Sequence, residues 1–336
     1  SLSRAALPVP PGPFPYCHGI GSEAGSRVPL AHRSQQIQDP NKSRDAHAMV
    51  ADSQLLQMTP AGLYCPAGDF HVDPWQSVDR AVITHAHGDH ARWGCRSYLG
   101  SAEGQHVLRT RLGRDARIRT AEFGEVVEMN GVRISLHPAG HILGSAQIRI
   151  EHRGEVWVVS GDYKTEVDPT CTPFEPVRCD TFITESTFGL PIYRWPEQSE
   201  VYDEVAAWWA DNREKGRTSV LLAYSLGKAQ RLLAGVLGRE QGPILTHGAV
   251  ERLTEDYRAS GVAMPKTIYA NAFDEAADKA GALVIAPPSA GASTWLRRFG
   301  TVSMAFASGW MRIRGTRRRR AVDRGRDAAV GVLERR

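Results

Sequence analysis

The chain has 336 residues, an apolar fraction of 42% and a formal net charge of +4 at pH 7, so it is long enough for two domains with real cores. No stretch approaches the roughly eighteen apolar residues of a membrane span, and no secretory signal is visible. Five scattered cysteines without a Cys-x-x-Cys pair argue against a disulfide framework and favour reduced thiols in a cytoplasm.

Residues 1–48 differ in composition from the rest of the chain, because they are rich in Pro, Gly, Ser and Gln and show no period. Such a segment cannot bury enough apolar surface to offset the entropy lost on ordering. We therefore expect a disordered N-terminal extension. Met49 is a candidate start of translation, in which case the residues before it would be an artefact.

The densest group of chemically active side chains lies at residues 84–90, with the sequence Thr-His-Ala-His-Gly-Asp-His. The apolar residues just before it, at 80–83, predict a short buried strand. Loops that follow such strands are common places for active sites in α/β proteins. On an extended segment His85 and His87 point the same way, so both imidazoles can reach one metal ion.

Asp89 and His90 follow the flexible Gly88 and can turn toward a second ion beside the first. Imidazole and carboxylate groups at this density suit zinc or a similar divalent ion, although a histidine-rich surface turn is the alternative. The sequence His-x-His-x-Asp-His after a strand resembles the metal signature of the metallo-β-lactamase superfamily. The resemblance implies an α/β fold of the αββα sandwich type and a site for two zinc ions.

Asp73 ends a short strand-like segment just ahead of this loop. The resemblance implies that Asp73 orients a ligand histidine without binding the metal itself, a role that fixes the tautomer and basicity of that histidine. The alternative is that Asp73 only starts a turn, since Pro74 follows it.

Two further strand ends offer ligands. Residues 125–136 alternate in polarity around an Asn-Gly pair, which predicts a β-hairpin, and His141 follows in a glycine-flanked turn. His141 resembles the third metal ligand of the nucleic-acid-processing branch of the superfamily. Residues 155–162 predict a buried strand that ends at Asp162, which resembles the carboxylate that bridges the two ions. By this resemblance one ion is held by His85, His87 and His141, the other by Asp89 and His90, with Asp162 between them.

Residues 181–189, Thr-Phe-Ile-Thr-Glu-Ser-Thr-Phe-Gly, predict another strand that ends in an acid, Glu185. The segment resembles the Glu-Ser-Thr-aromatic-Gly signature of the β-CASP nucleases, which cleave RNA or DNA and carry a second domain inserted into the metal-binding domain. The resemblance implies three catalytic carboxylates, Asp89, Asp162 and Glu185, of which the last orients the general acid.

The resemblance covers roughly residues 55 to 325. Within the β-CASP proteins, the segments at 65–70, 159–166 and 306–310 are most similar to a bacterial group known as ligase-associated DNA exonucleases or mRNA 3′-end processing factor-like proteins. The resemblance thus divides the chain into a metallo-β-lactamase domain at 49–190 and a Rossmann-like β-CASP domain at 191–325.

The second domain is also predicted from the residues themselves, because strand-like and helix-like segments alternate there. A helix that begins after a short serine-glycine entrance presents an N-terminus that favours anions. Lys228 and Arg231 lie one turn apart on it and could contact phosphates of a substrate.

The C-terminal end departs from the family pattern. The family normally brings two more histidines after the inserted domain, a candidate general acid and the last zinc ligand, yet no histidine follows His247. We assign His247 to the inserted domain. We expect that the return segment is missing and that 326–336 is a divergent tail, produced by a frameshift near Gly325, which resequencing of related strains would test. The chain should then turn over feebly or not at all.

The favoured function is zinc-dependent hydrolysis of nucleic-acid phosphodiester bonds, by a DNA exonuclease in DNA repair, with DNA favoured over RNA as the substrate. A DNA ligase or a helicase as partner is implied only by the name of the similar group. Three alternatives stay open: an RNA 3′-end processing nuclease, a small-molecule hydrolase of the same superfamily, and a non-catalytic nucleic-acid-binding protein. The arginine run at 317–320 is either a phosphate-binding patch or a solvated edge.

Overall fold

The computed structural model describes residues 54–187, 195–273 and 279–307. The expected extension at 1–48, the arginine run at 317–320 and the tail at 326–336 lie outside the described residues. The described residues from Leu55 onward belong to one compact unit. None of the described helices is both long and apolar enough to cross a membrane.

The first sheet has six strands: Gln57–Thr59 (β1), Gly62–Cys65 (β2), Phe70–Val72 (β3), Arg80–Val82 (β4), Ser97–Ser101 (β5) and Ile118–Ala121 (β6). They lie side by side in chain order. β1, β2 and β3 pair antiparallel, whereas β3, β4, β5 and β6 pair parallel. Because parallel strands end at the same edge of a sheet, the loop after β4 opens where ligand sites of such sheets are found.

The second sheet has five strands: Val126–Met129 (β7), Val132–Pro138 (β8), Ala146–His152 (β9), Glu155–Val159 (β10) and Thr181–Ile183 (β11). Their order is β11-β10-β9-β8-β7, and only the β10–β11 pair is parallel. The predicted hairpin is confirmed, since β7 and β8 pair across Asn130 and Gly131 with φ angles of 50° and 80°. Two successive positive φ angles are what a type I′ turn requires.

The first two sheets share one hydrophobic core, which includes Phe70 and Leu99 from the first sheet and Ile134 and Ile148 from the second. Each such fully buried side chain contributes roughly 1.5–3 kcal/mol relative to exposure. The helix Gln105–Leu112 (α1) adds Val107 and Leu108 to a separate core with residues of β4 and β5. The mixed α/β character is therefore confirmed, while the αββα arrangement stays a prediction.

The third sheet is entirely parallel, with strands Thr218–Leu222 (β12), Ile244–Thr246 (β13), Ile268–Tyr269 (β14), Leu283–Ala286 (β15) and Val302–Phe306 (β16) in the order β14-β13-β15-β12-β16. The helices of this region are Gln198–Glu214 (α2), Lys228–Gly235 (α3) and Gly248–Ala259 (α4), with 3₁₀ turns at Pro288–Ala292 and Thr294–Phe299. Its two hydrophobic clusters contain Trp209 and Leu233 in one and Phe299 in the other. Burial on both faces explains why the central strand β15 is continuously apolar.

Candidate metal centre

The loop after β4 is fixed in position by a hydrogen bond to the second sheet. Thr84 and His85 are buried, and the backbone carbonyl of Thr84 accepts a hydrogen bond of 2.8 Å from the amide of Ala146 at the start of β9. The loop is thereby attached to the second sheet. His85 consequently projects from a fixed backbone rather than from a mobile surface turn.

Three histidines and one aspartate converge on a single point. His85 Nε2 lies 2.9 Å from His87 Nδ1, and His141 Nε2 lies 3.3 Å from the same His87 Nδ1. Asp162 Oδ2 lies 3.6 Å from His141 Nε2 and 3.9 Å from His85 Nε2. The four donor atoms all lie within 4.8 Å of one another. The structure therefore brings together residues from three loops that are far apart in the sequence.

The outward-facing ring nitrogens of two of these histidines have partners of their own. Thr84 Oγ1 donates to Asp73 Oδ2 at 2.6 Å, so it can accept from Nδ1–H of His85, 3.0 Å away. His87 Nε2 lies 3.3 Å from the carbonyl oxygen of Leu226, which can only accept. These contacts place the protons on the outer nitrogens and turn the inner lone pairs of His85 and His87 toward the common point.

A second group adjoins the first through Asp162. Its Oδ1 lies 3.4 Å from His90 Nε2, and Asp89 Oδ2 lies 3.9 Å from the same nitrogen. The other ring nitrogen of His90, Nδ1, donates to Asp73 Oδ2 at 2.7 Å. Asp73 also accepts from the backbone amide of Thr84 at 2.8 Å, in a left-handed backbone conformation with φ of 43°. Asp73 thus connects the start of the loop, at Thr84, to the ring of His90.

The three histidines of the first group resist protonation. Burial lowers the pKa of His85 well below its ordinary value, and the neighbouring His90, His87 and His141 lower it further. Burial also lowers the pKa of His87. Burial, followed by the charge of His87, lowers the pKa of His141 to about 4. At neutral pH all three rings are neutral, which is the form that binds metal ions.

His90 and Asp162 form a charged pair when no ion is bound. Burial lowers the pKa of His90, but the carboxylates of Asp73 and Asp162 outweigh burial and raise it to about 11. Burial raises the pKa of Asp162, but the hydrogen bond from His90 and the charges of His90, His141 and His87 lower it overall. A cation that binds between Asp162 and His90 would therefore displace a proton from Nε2 of His90.

The donor set fits a divalent metal ion. The inner lone pairs of His85 and His87, the Nε2 atom of His141 and one carboxylate oxygen of Asp162 face a common point, and imidazole and carboxylate groups in this arrangement are typical of zinc ligands. His85, His87, His141 and Asp162 would hold one ion, and Asp162, His90 and Asp89 offer donors for a second. Asp89 is 81% exposed, so the second group is the more open of the two.

Two other candidate residues, Glu185 and His247, have contacts outside the cluster of donors. Glu185 follows β11, which pairs in parallel with the strand that leads to Asp162, and its Oε2 accepts from the amide of Thr187 at 2.6 Å. His247, which we assigned to the inserted domain, caps α4 by accepting from the amide of Ala249 at 3.1 Å and stacks against Trp295.

Lys228 and Arg231, the predicted phosphate contacts, lie at the start of α3. Arg231 Nη1 lies 3.7 Å from Asp168 Oδ2. Burial, followed by the charges of Arg231 and Lys164, lowers the pKa of Lys228 to about 7. Lys228 also contributes to the lowered pKa of His141, so its charge reaches the metal centre.

Sequence reasoning missed two contributors to the centre. One is Thr84, whose hydroxyl connects Asp73 to His85; its position directly before the histidines was the available signal. The other is the backbone of Leu226 and Gly227 at the start of α3. Gly227 has φ of 82° and lies against Ile142 and His87 so closely that a Cβ atom would overlap with Ile142. A glycine that follows a serine just before a helix predicts a tight turn, but the sequence does not show which residue that glycine will contact.

No family model matches the chain. A protein named probable DNA ligase from Opitutus terrae is 32% identical over 252 residues, which is 74% of this chain and 24% of that protein. Cleavage and polyadenylation specificity factor 73 of Drosophila melanogaster is 29% identical over 181 residues, 49% of this chain and 26% of that protein. Endoribonuclease YSH1 of Kluyveromyces lactis is 29% identical over 174 residues, 46% of this chain and 22% of that protein.

The chain therefore spans about a quarter of the length of these curated relatives. Together with the His/Asp cluster, the relatives support the relationship to β-CASP metallo-β-lactamase nucleases that the motifs predict. A solved structure of a protein of unknown function from Enterococcus faecalis has a TM-score of 0.46 at 10% identity, over 68% of this chain and 61% of that chain, a likeness too slight to define a fold.

Proposed function

We propose that this chain is a metal-dependent phosphodiesterase that hydrolyses nucleic acid, as a DNA exonuclease in DNA repair. The observation that supports it most is the convergence of donor atoms of His85, His87, His141 and Asp162 within 4.8 Å. Asp89 and His90 extend the cluster on the exposed side. Sequence similarity to proteins named as a probable DNA ligase and as endoribonucleases supports nucleic acid as the substrate.

In this proposal each residue has a stated task. Two zinc ions, when bound, would supply Lewis acidity toward a phosphate oxygen and would activate water as a nucleophile. Asp162 lies between the two groups of donors and brings a carboxylate oxygen to each. Asp73 and Thr84 hold His90 and His85 in the required tautomers, and the resemblance assigns to Glu185 the orientation of a general acid.

DNA is proposed ahead of RNA because the relative named probable DNA ligase matches 74% of this chain. RNA 3′-end processing is the second candidate, since cleavage and polyadenylation specificity factor 73 and YSH1 match 49% and 46% of it. We also propose that the protein acts in the cytoplasm and that a DNA ligase or a helicase is its partner.

The test combines metal analysis with a choice of substrates. The purified chain should contain up to two zinc ions, and any cleavage of end-labelled single-stranded DNA should be feeble but faster than cleavage of RNA of the same sequence. It should leave a chromogenic lactam intact. The His85→Ala variant should lose zinc and activity together. Zinc with faster RNA cleavage would favour the second candidate, and lactam hydrolysis alone would contradict both. Salt-sensitive DNA binding without zinc would identify a non-catalytic binder.

A further inference from the structure

A group of cations lies beside the metal centre and is only partly neutralised. Lys164 is two residues beyond Asp162, and its backbone amide donates to the carbonyl of Ala139 at 2.9 Å, which places this segment against the turn that carries His141. Lys228 and Arg231 reach the same place from the start of α3. All three side chains interact electrostatically with one another and with Asp168.

Asp168 is the carboxylate that these cations share. It is buried, and its Oδ1 accepts from the amide and the hydroxyl of Thr170 at 3.0 Å and 2.6 Å. Its Oδ2 lies 3.5 Å from Lys164 Nζ and 3.7 Å from Arg231 Nη1. Lys164 and Arg231 thus pair with one carboxylate, which acts on Lys228 through its charge, while Glu166 is exposed and acts on Lys164 through charge.

The ammonium group of Lys164 is incompletely satisfied. The Nζ atom is buried and has no hydrogen-bond partner, and its ion pair with Asp168 is longer than a charge-assisted hydrogen bond. Leaving a buried ammonium without acceptors is costly. A phosphate group carries several strong acceptor oxygens and negative charge, and so supplies what this cluster lacks.

We propose that Lys164, Lys228 and Arg231 form an anion pocket that binds one phosphate group of the substrate next to the metal centre, with Asp168 fixing the positions of Lys164 and Arg231. The inference rests on the proposed function, which already assigns Lys228 and Arg231 to phosphate contacts, and it adds Lys164 as the buried member. The phosphate is either a terminal monoester or an internal diester, which share the same recognition chemistry.

The test measures binding of fluorescent single-stranded oligonucleotides by anisotropy, with one series carrying a terminal phosphate at the unlabelled end and one ending in a hydroxyl. Lys164→Gln should weaken binding about tenfold and reduce the slope of log Kd against log salt by about one. Lys164→Arg should restore most of the affinity. Lys215→Gln is the matched control, because Lys215 is exposed and pairs with Asp211 on the surface of α2.

Each outcome has a defined reading. A loss confined to the phosphorylated strand assigns the pocket to a terminal phosphate, and an equal loss on both strands assigns it to an internal one. Unchanged binding by a folded Lys164→Gln variant would overturn the proposal, as would loss of zinc from that variant, since Lys164 would then support the metal centre. Wild-type binding by a chain that takes up no zinc would defeat the proposed function and leave the pocket standing.

Discussion

The region of the first two sheets and the region of the third sheet contribute different chemical groups to the candidate metal centre. Residues 54–187 supply every side chain whose donor atoms converge at the metal centre, whereas residues 195–307 supply a backbone carbonyl at Leu226, a close glycine at Gly227 and two cations. In the proposed function, the first region holds the metal and adds one phosphate contact, Lys164, whereas the second region mainly contacts the polyanion. If that division is correct, variants in the two regions should fail in separable ways.

Asp162→Ala should have the largest effect, because Asp162 contacts both groups of histidines. Since the loss of an outer partner alone weakens metal binding about 10- to 100-fold, loss of this carboxylate should exceed about 100-fold and abolish cleavage. Metal content by atomic emission after dialysis checks this. The control is Asp115→Ala, which removes an exposed carboxylate and should change nothing. Full metal occupancy in Asp162→Ala would show that Asp162 is not needed to hold the metal.

Asp73→Asn should come next. Asparagine tolerates the left-handed backbone at this position. It lacks the negative charge that orients His90, and it lacks the two carboxylate oxygens that accept hydrogen bonds from the amide and hydroxyl of Thr84. Metal affinity should fall about 10- to 100-fold with little loss of folding stability, as measured by titration against a chelating dye. Asp69→Asn provides a matched control, since Asp69 also has positive φ but pairs with Arg80 away from the centre.

Gly227→Ala tests the second region. A methyl group there combines positive φ with overlap on Ile142, so unfolding free energy should fall by about 2 kcal/mol and oligonucleotide binding should weaken. The metal content should fall far less than in Asp162→Ala, because no donor side chain is removed. Gly238→Ala separates the strain of a positive φ from the overlap with Ile142, because Gly238 has φ of 79° with open space around it. Equal effects of the two variants would show that the contact with Ile142 is unimportant.

The smallest effect concerns pH. In the metal-free chain His141 has a pKa of about 4, below the ordinary value of about 6.5 in the unfolded state. Between these values the unfolded state binds more protons, so unfolding free energy should fall as pH falls, by about 1 kcal/mol from pH 6.5 to 5.5. Denaturant titrations at both pH values measure it. A His141→Gln variant should lose that part of the pH dependence, whereas the zinc-bound chain should retain it, because metal-bound rings stay unprotonated in the folded state.

The sequence allowed prediction of most strands, because they depend on local patterns, and the family resemblance singled out the four side chains that converge in the structure. The apolar run before Thr84 and the Asn130-Gly131 turn determine their structure through neighbouring residues alone. The roles assigned to Asp89, His90 and Glu185 remain predictions. What could not be predicted depends on contacts between distant segments: the ring nitrogen by which His87 faces the cluster follows from a carbonyl at Leu226, and the sharing of Asp168 by Lys164 and Arg231 follows from the approach of α3.

The contact between His87 and Leu226 has one further consequence. It joins residues 139 positions apart through one hydrogen bond of 3.3 Å, so the orientation of that imidazole depends on where the segment before α3 lies. Any movement of this segment when a nucleic-acid strand binds would alter the ligand field of the bound ion. A cobalt-substituted protein would therefore report the arrival of nucleic acid as a change in its visible spectrum, before any bond is cut.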